Sequence, residues 1–143
     1  MDIVDKARRS AMMARIRGKD TKPEILVRRA AHALGYRFRL HRKDLPGSPD
    51  LVFPGRMKVI LVHGCYWHRH PGCRYAYEPK SNPEFWQDKF EKNQIRDQRA
   101  LTDLVALGWD PMIVWECETR DATVLNARIA SHLGSRENNE LRG

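Results

Sequence analysis

The segment 63–73, HGCYWHRHPGC, constrains the fold of this 143-residue chain more than any other stretch. It holds three of the six histidines, two of the three cysteines, a tyrosine and a tryptophan. The apolar run MKVILV at 57–62 comes directly before it and predicts a buried strand. The segment is therefore predicted to form a loop at the end of a rigid strand, where chemistry is often placed.

A third cysteine, Cys117, ends a second apolar run, MIVWEC at 112–117. If the two runs form neighbouring strands, Cys117 lies beside the 63–73 loop. Structural zinc binds four ligands, usually cysteines with one or two histidines, and three cysteines cannot all pair with each other. His70 gives the tightest chelate loop, because it lies three residues before Cys73. We therefore predict a structural zinc site formed by Cys65, Cys73, Cys117 and one of His63, His68 or His70.

A second candidate site combines the remaining histidines with two carboxylates. Asp50 begins a predicted strand at 50–53, and Glu24 lies in the first turn of a predicted helix. Magnesium takes oxygen ligands, which carboxylates, main-chain carbonyls and phosphates supply. Each acid also has a simpler explanation, Asp50 as a turn-capping residue and Glu24 as a favourable charge at a helix N-terminus.

His68 is the predicted general base of this second site, since an imidazole beside a bound metal can deprotonate an attacking water. A base of this kind needs a neighbouring group that fixes its tautomer. Asp97 or Asp88, both on a predicted helix at 83–107, can provide that group.

Charge and aromatic residues favour a polyanionic partner. The net charge is +8 and the pI about 9.8, and residues 1–43 contain thirteen lysines and arginines against four acids. Such a balance indicates contact with a nucleic-acid backbone, although a solubilising surface is the alternative. Aromatic side chains either cover the zinc loop or insert between bases. The candidate DNA contacts are Tyr66, Trp67, Trp86, Lys89, Asn93, Arg15 and Arg17.

Length and composition predict one domain of 1–143, with a basic helical arm at 1–20, a core at 21–133 and a disordered tail at 134–143. No apolar run approaches the roughly 20 residues of a membrane span. The charged N-terminus lacks the apolar centre of a signal peptide. We expect a cytoplasmic monomer without membrane contact.

The predicted elements after the arm alternate in type. Helices are expected at 21–34, 83–107 and 121–133, and strands at 36–41, 50–53, 57–62 and 111–116. The C-terminal half of the 83–107 helix has four predicted core positions, Leu101, Leu104, Val105 and Leu107. The αβββαβ order predicts an α/β (α+β) fold with a central four-stranded mixed sheet.

Four segments resemble, in order and spacing, the very short patch repair (Vsr) DNA mismatch endonucleases: SPDLVF, VILVHGCYWHRHPGC, EFWQDKFEKNQIRDQRAL and GWDPMIVWEC. The basic opening DKARRSAMMARIRGKDTKPE resembles the N-terminal arm of that family. The resemblance covers about residues 5–120. It implies a restriction-endonuclease-like core and a bacterial, nucleoid-associated enzyme that nicks DNA 5′ to the mispaired thymine of a T:G mismatch.

The resemblance also implies roles for individual residues. Asp50 and the main chain of Val62 would bind magnesium, Glu24 and His63 would orient water, and His68 paired with Asp97 would be the base. The implied zinc ligands are Cys65, His70, Cys73 and Cys117. The implied mismatch wedge consists of Tyr66, Trp67 and Trp86, with Met13 of the arm entering from the other groove. Mismatch-repair proteins are the implied protein partners.

The sequence departs from the family pattern at three points. Val62 replaces a threonine, Tyr66 replaces a phenylalanine, and the interval from Cys65 to Cys73 has an extra residue within Pro71–Gly72. Two enzymatic alternatives remain, a mismatch nickase of relaxed sequence context and a restriction-type endonuclease. A zinc-stabilised DNA-binding module without catalysis is the third alternative.

Overall fold

The computed structural model describes residues 21–134. Its helices are α1 (Lys22–Ala33), α2 (Pro83–Ala106) and α3 (Ala122–Leu133), and its strands are β1 (Arg39–Leu40), β2 (Leu51–Phe53), β3 (Lys58–His63) and β4 (Asp110–Trp115). Short 3₁₀ turns follow β2 and β4, at Pro54–Arg56 and Glu116–Arg120. The predicted arm, with Met13, Arg15 and Arg17, and nearly all of the predicted tail lie outside the described residues.

The four strands form one mixed sheet in the order β1-β2-β3-β4. The first two pairs are antiparallel, and β4 pairs with β3 in parallel because helix α2 carries the chain back across the sheet. The register places His63 opposite Trp115. The predicted mixed sheet is confirmed, and Cys117 follows the strand that neighbours the 63–73 loop.

The sheet is covered by helices on both faces. On one face, Leu51 and Ile60 pack with α1 and α3 around buried Val27 and Ile129. On the other face, Val52, Val59 and Leu61 pack against Leu104 of α2. Alternate strand residues therefore point to different helices, which is why these strands are almost continuously apolar. The 63–73 loop begins at the end of a strand that is packed on both faces.

The boundaries of most elements agree with the predictions within two residues, but β1 does not. The expected strand at 36–41 contains only Arg39 and Leu40, both exposed at the edge of the sheet. Leu104 is buried as expected, whereas Val105 is 61% exposed. Leu107 is exposed too, because the sheet contacts only a narrow stripe of the helix.

Helix α1 begins at a side-chain cap. The Oγ1 atom of Thr21 accepts a hydrogen bond from the Glu24 N–H at 3.5 Å, and Pro23 lies in the first turn. None of the helices within residues 21–134 has the length and hydropathy needed to cross a membrane.

Candidate active site and thiol cluster

Asp50 lies immediately before β2 and turns its carboxylate towards the end of β3. The Val62 N–H donates to Oδ2 of Asp50 at 2.6 Å, and the Asp50 N–H donates to the Ile60 carbonyl at 3.1 Å. The side chain is 16% exposed. Burial raises the pKa of the Asp50 carboxyl to about 7, and repulsion from the Glu24 carboxylate adds to the rise.

Glu24 is buried at the start of α1, close to Asp50. Thr21 already caps the helix, so capping does not explain the buried carboxylate. The Arg28 NH2 group donates to Oε2 of Glu24 at 3.2 Å. Ligand atoms of Glu24, Asp50 and His41 all lie within 4.8 Å of one another. Paired carboxylates in a partly buried position match the oxygen donors that a hard divalent cation takes.

Two imidazoles from the 63–73 loop stack beside these carboxylates. The rings of His63 and His68 lie 3.9 Å apart at an interplanar angle of 12°. Burial lowers the pKa of His63 to about 4. Its Nδ1 atom is buried and has no hydrogen-bond partner within residues 21–134. A buried nitrogen of this kind calls for a water or ligand that completes its hydrogen bonding.

His68 is oriented by an acid on α2. Its Nδ1 atom lies 2.6 Å from Oδ2 of Asp97. Since a carboxylate accepts, Nδ1 carries the proton and Nε2 keeps a free lone pair, as a general base requires. Asp88, the alternative partner in the sequence, lies 2.9 Å from the Lys92 ammonium instead.

These groups line a cleft of about 1230 Å³. Glu24, Asp50, His63, His68 and Asp97 all contribute to its wall. Basic and polar residues of α2 line the same space, namely Lys89, Lys92, Asn93 and Arg96. Carboxylates, imidazoles and cations therefore share one opening, which suits the cleavage of a phosphodiester backbone.

Aromatic residues form one side of the cleft. Tyr66, Trp67 and Phe85 line it, and the Phe85 side chain is 54% exposed. Trp86 does not line the cleft but packs behind, with its ring 5.7 Å from that of Trp67. Asn93 donates its side-chain N–H to the Trp67 carbonyl at 3.4 Å. The family resemblance implies a wedge role for Trp86, whereas Phe85, which lines the cleft, was not among the predicted DNA contacts.

The second cluster consists of the three free cysteines and His70. The Nδ1 atom of His70 lies 3.7 Å from Sγ of Cys65 and 3.5 Å from Sγ of Cys117. A tetrahedron with Zn–S bonds of about 2.3 Å and a Zn–N bond of about 2.0 Å has edges of roughly 3.5–3.8 Å. The ring of His70 stacks on Trp115 at 4.2 Å, which fixes its direction. These four residues fit a structural zinc ion.

Nine of the predicted side chains fall into these two groups, four in the thiol cluster and five in the cleft. His70, rather than His63 or His68, faces the thiols. His41 and Arg28 were not predicted for any site, yet both contact Glu24. The sequence offered little sign of their position, since His41 ends an ordinary alternating stretch and Arg28 is one of many basic residues.

Comparison with known proteins agrees with this geometry. The family model for DNA mismatch endonuclease Vsr matches residues 1–74. The Type II nicking enzyme V.XorIIP of Xanthomonas oryzae pv. oryzae is 50% identical over 92% of this chain and 96% of its own length. The DNA mismatch endonuclease Vsr of Escherichia coli is 41% identical over 83% of this chain and 76% of its own length.

A third relative, the Type II nicking enzyme V.NmeAIP of Neisseria meningitidis, is 38% identical over 90% of this chain and 91% of its own length. A mixed sheet that presents carboxylates and an oriented imidazole in a cationic cleft, together with these likenesses, defines a DNA endonuclease. The chain belongs to the DNA mismatch endonuclease Vsr family.

Proposed function

We propose that this chain nicks duplex DNA on the 5′ side of the mispaired thymine in a T:G mismatch, and so begins very short patch repair of deaminated 5-methylcytosine. The observation that carries the proposal is the convergence of Asp50, Glu24 and the His68–Asp97 pair on one cleft. Family membership supports the nuclease activity and the mismatch target. The αβββαβ element order supports a restriction-endonuclease-like core.

Asp50 and Glu24 would hold a magnesium ion, with the main-chain carbonyl of Val62 as a further ligand. The fit rests on two carboxylates in contact and on the raised pKa of Asp50, because a divalent cation would replace the proton held there. When bound, the cation would stabilise the negative charge that develops on the phosphate oxygens.

His68 would act as the general base through Nε2. A water that attacks phosphorus would lose its proton to this nitrogen while the bond from phosphorus to the 3′-oxygen breaks, and Asp97 would stabilise the resulting imidazolium through Nδ1. The low pKa of His63 keeps its ring neutral near pH 7. The stacked rings of His63 and His68 therefore carry only one positive charge once His68 has taken the proton. His63 would orient water through its buried Nδ1.

The aromatic side of the cleft would recognise the mismatch. Tyr66 and Trp67 would insert beside the mispaired bases, where unstacking costs least. Trp86 would brace Trp67 from behind, since their rings lie 5.7 Å apart. Lys89 and Asn93 would contact DNA from α2, and Met13 of the arm would enter from the other groove. A zinc ion on Cys65, His70, Cys73 and Cys117 would hold the loop that carries Tyr66 and Trp67.

The test is cleavage of two duplexes that differ in one base pair, one with a T:G mismatch and one fully paired, each strand labelled separately. Magnesium is added to both. We expect a single nick on the thymine strand of the mismatched duplex and none in the paired one. The Asp50→Ala variant should bind the mismatch and leave it intact.

The other outcomes assign other functions. Cleavage of both strands of the paired duplex would indicate a restriction-type endonuclease. Nicking in every sequence context would indicate a mismatch nickase of relaxed specificity. Tight binding without cleavage, at any magnesium concentration, would leave a DNA-binding module and contradict the catalytic roles above.

A further inference from the structure

His41 occupies an unusual backbone position beside the paired carboxylates. Its φ angle is 47°, in the left-handed region that few residues other than glycine adopt. Its side chain is only 13% exposed, and its N–H donates to the Asp50 carbonyl at 3.4 Å. A strained backbone conformation persists where the surrounding structure enforces it, often at functional sites.

Arg28 fixes which nitrogen of His41 carries the proton. The Arg28 NH2 group lies 2.9 Å from Nε2 of His41 and 3.2 Å from Oε2 of Glu24. A guanidinium donates and never accepts, so Nε2 of His41 must be an acceptor. The two hydrogens of NH2 serve the two acceptors, which explains why Nε2 and Oε2 approach within 3.5 Å. With Nε2 as the acceptor, the ring proton of His41 lies on Nδ1.

The protonated nitrogen faces the other key carboxylate. Nδ1 of His41 lies 3.8 Å from Oδ1 of Asp50, while Oδ2 of Asp50 is held by the Val62 N–H at 2.6 Å. A separation of 3.8 Å is longer than a hydrogen bond but within reach of one after a small shift or through a water. One oxygen of Asp50 is thus held by a main-chain N–H, and the other lies 3.8 Å from the ring nitrogen of His41.

We propose that His41 is a positioning residue, which Arg28 holds as the Nδ1–H tautomer so that it orients the Asp50 carboxylate for binding a divalent cation. The inference rests on the proposed role of Asp50 as a metal ligand. It adds two residues, Arg28 and His41, whose contacts connect Glu24 to Asp50. Groups that orient metal ligands typically contribute 10–100-fold in metal affinity or activity.

The same geometry argues against His41 as a nitrogen ligand. Ligation through Nδ1 requires a free lone pair there and a proton on Nε2. That proton would point at the Arg28 NH2 group, a second donor 2.9 Å away. The alternative is that the metal binds Nδ1 directly, so that His41 is a ligand and not a positioning residue. The experiments below distinguish these two arrangements.

The first experiment reads the tautomer directly. Long-range ¹H–¹⁵N spectra of histidine-labelled protein distinguish protonated from unprotonated ring nitrogens, and loss of a signal in His41→Asn assigns it among the six histidines. We expect a protonated Nδ1 and an unprotonated Nε2 in His41. Replacement of Arg28 by methionine should shift the ring towards the other tautomer. A proton on Nε2 in the unaltered protein would overturn the proposal.

The second experiment measures binding of Mn²⁺ by electron paramagnetic resonance, with no DNA present. We expect His41→Ala to weaken Mn²⁺ binding by about tenfold or more. His41→Asn should stay within about threefold of the unaltered protein, because asparagine tolerates the left-handed backbone and keeps an N–H near the position of Nδ1. The Asp50→Ala variant lacks a proposed ligand, so its spectrum gives the Mn²⁺ signal expected when this site does not bind.

Two results of the binding experiment would contradict the proposal. Equal losses in His41→Asn and His41→Ala would show that the N–H is not what matters. A hyperfine coupling between Mn²⁺ and a histidine nitrogen that His41→Asn removes would make His41 a ligand.

The nicking assay separates this proposal from the proposed function. In that assay, His41→Ala should raise the Mg²⁺ concentration for half-maximal nicking by about tenfold while the rate at saturating Mg²⁺ falls less. Absence of nicking in the unaltered protein would contradict the proposed function. The tautomer and the Mn²⁺ affinity would still decide the role of His41.

Discussion

The 63–73 loop contributes to two sites that differ in ligand chemistry and in access. The cleft site offers carboxylate oxygens and imidazoles to a space of about 1230 Å³. The thiol cluster brings three sulfurs and one nitrogen within 4.8 Å of one another, so that a zinc ion held there would have four protein ligands. Zinc sites that are closed in this way are structural, whereas catalytic sites keep a position open.

The comparison shows how one short loop serves both purposes. His68 and His70 are two residues apart, yet one ring reaches Asp97 and the other reaches the thiols. Arg69, between them, has a φ angle of 55°, a left-handed turn that directs its two neighbours to different sides. The loop therefore separates, by a single residue, the imidazole proposed as the base from the imidazole proposed as a zinc ligand.

The largest expected effect comes from the closed cluster. Cys73 is only partly buried, so its replacement by serine removes little packing by itself. We expect Cys73→Ser to lose bound zinc. Its free energy of unfolding should fall by roughly several kcal/mol, because structural zinc contributes folding free energy. Zinc content by atomic absorption and urea unfolding measure the effect. Unchanged stability at reduced zinc content would show that the cluster does not hold the fold.

Removal of the base should leave the fold intact while activity is lost. We expect His68→Ala to reduce the nicking rate by about 10²–10⁴-fold, the usual contribution of a general base. Zinc content and the unfolding midpoint should match those of the unaltered protein. A fall in zinc content would show that His68 also affects the thiol cluster that contains His70.

Asp97 and Asp88 form a matched pair on α2. We expect Asp97→Asn to lower the nicking rate by about 10–100-fold, because the tautomer of His68 is no longer fixed. Asp88→Asn removes the same charge where the partner is Lys92, and its rate should stay within about threefold. Similar losses in both variants would indicate a general charge effect on DNA binding.

The smallest effect concerns pH. The Asp50 carboxyl has a pKa of about 7 in the folded chain against an ordinary 3.8, so between these values the folded state holds a proton that the unfolded state has lost. Rising pH through this window therefore destabilises the unaltered protein relative to Asp50→Asn. We expect the difference in free energy of unfolding between Asp50→Asn and the unaltered protein to grow by roughly 1–3 kcal/mol from pH 4 to pH 7.5.

The comparison between the two proteins is made by urea unfolding without added magnesium. His63 contributes in the opposite direction, since its pKa of about 4 lies below the ordinary 6.5 and its stabilisation is lost as pH falls through that range. It is present in both proteins and cancels in the difference. A difference that stays constant with pH would contradict the raised pKa of Asp50.

The sequence predicted the thiol cluster more completely than the cleft. Cysteine and histidine are rare, so their spacing and the apolar runs that precede them were enough to bring Cys65 and Cys117 together. Carboxylates are common, and their partners depend on tertiary contacts. Asp88 and Asp97 are nine residues apart on α2 and both line the cleft, so only the path of the loop decides which one meets His68.

Two features of the structure could not be predicted from local sequence patterns. His41 takes its role from Arg28, thirteen residues earlier, and from a left-handed φ angle that the sequence does not reveal. The expected strand at 36–41 shortened to two residues at the edge of the sheet, where alternation is not enforced by burial on either face. The predicted role of the basic arm remains a prediction.

The contact between Cys65 and Cys117 has a consequence for synthesis of the chain. The Cys117 N–H donates to Sγ of Cys65 at 3.4 Å across 52 residues. The ribosome must therefore release the whole of α2 and β4 before the loop can close, at about 5–20 residues per second. Until then Cys65 lacks the contact with Cys117, so the thiol cluster cannot form before Cys117 has left the ribosome.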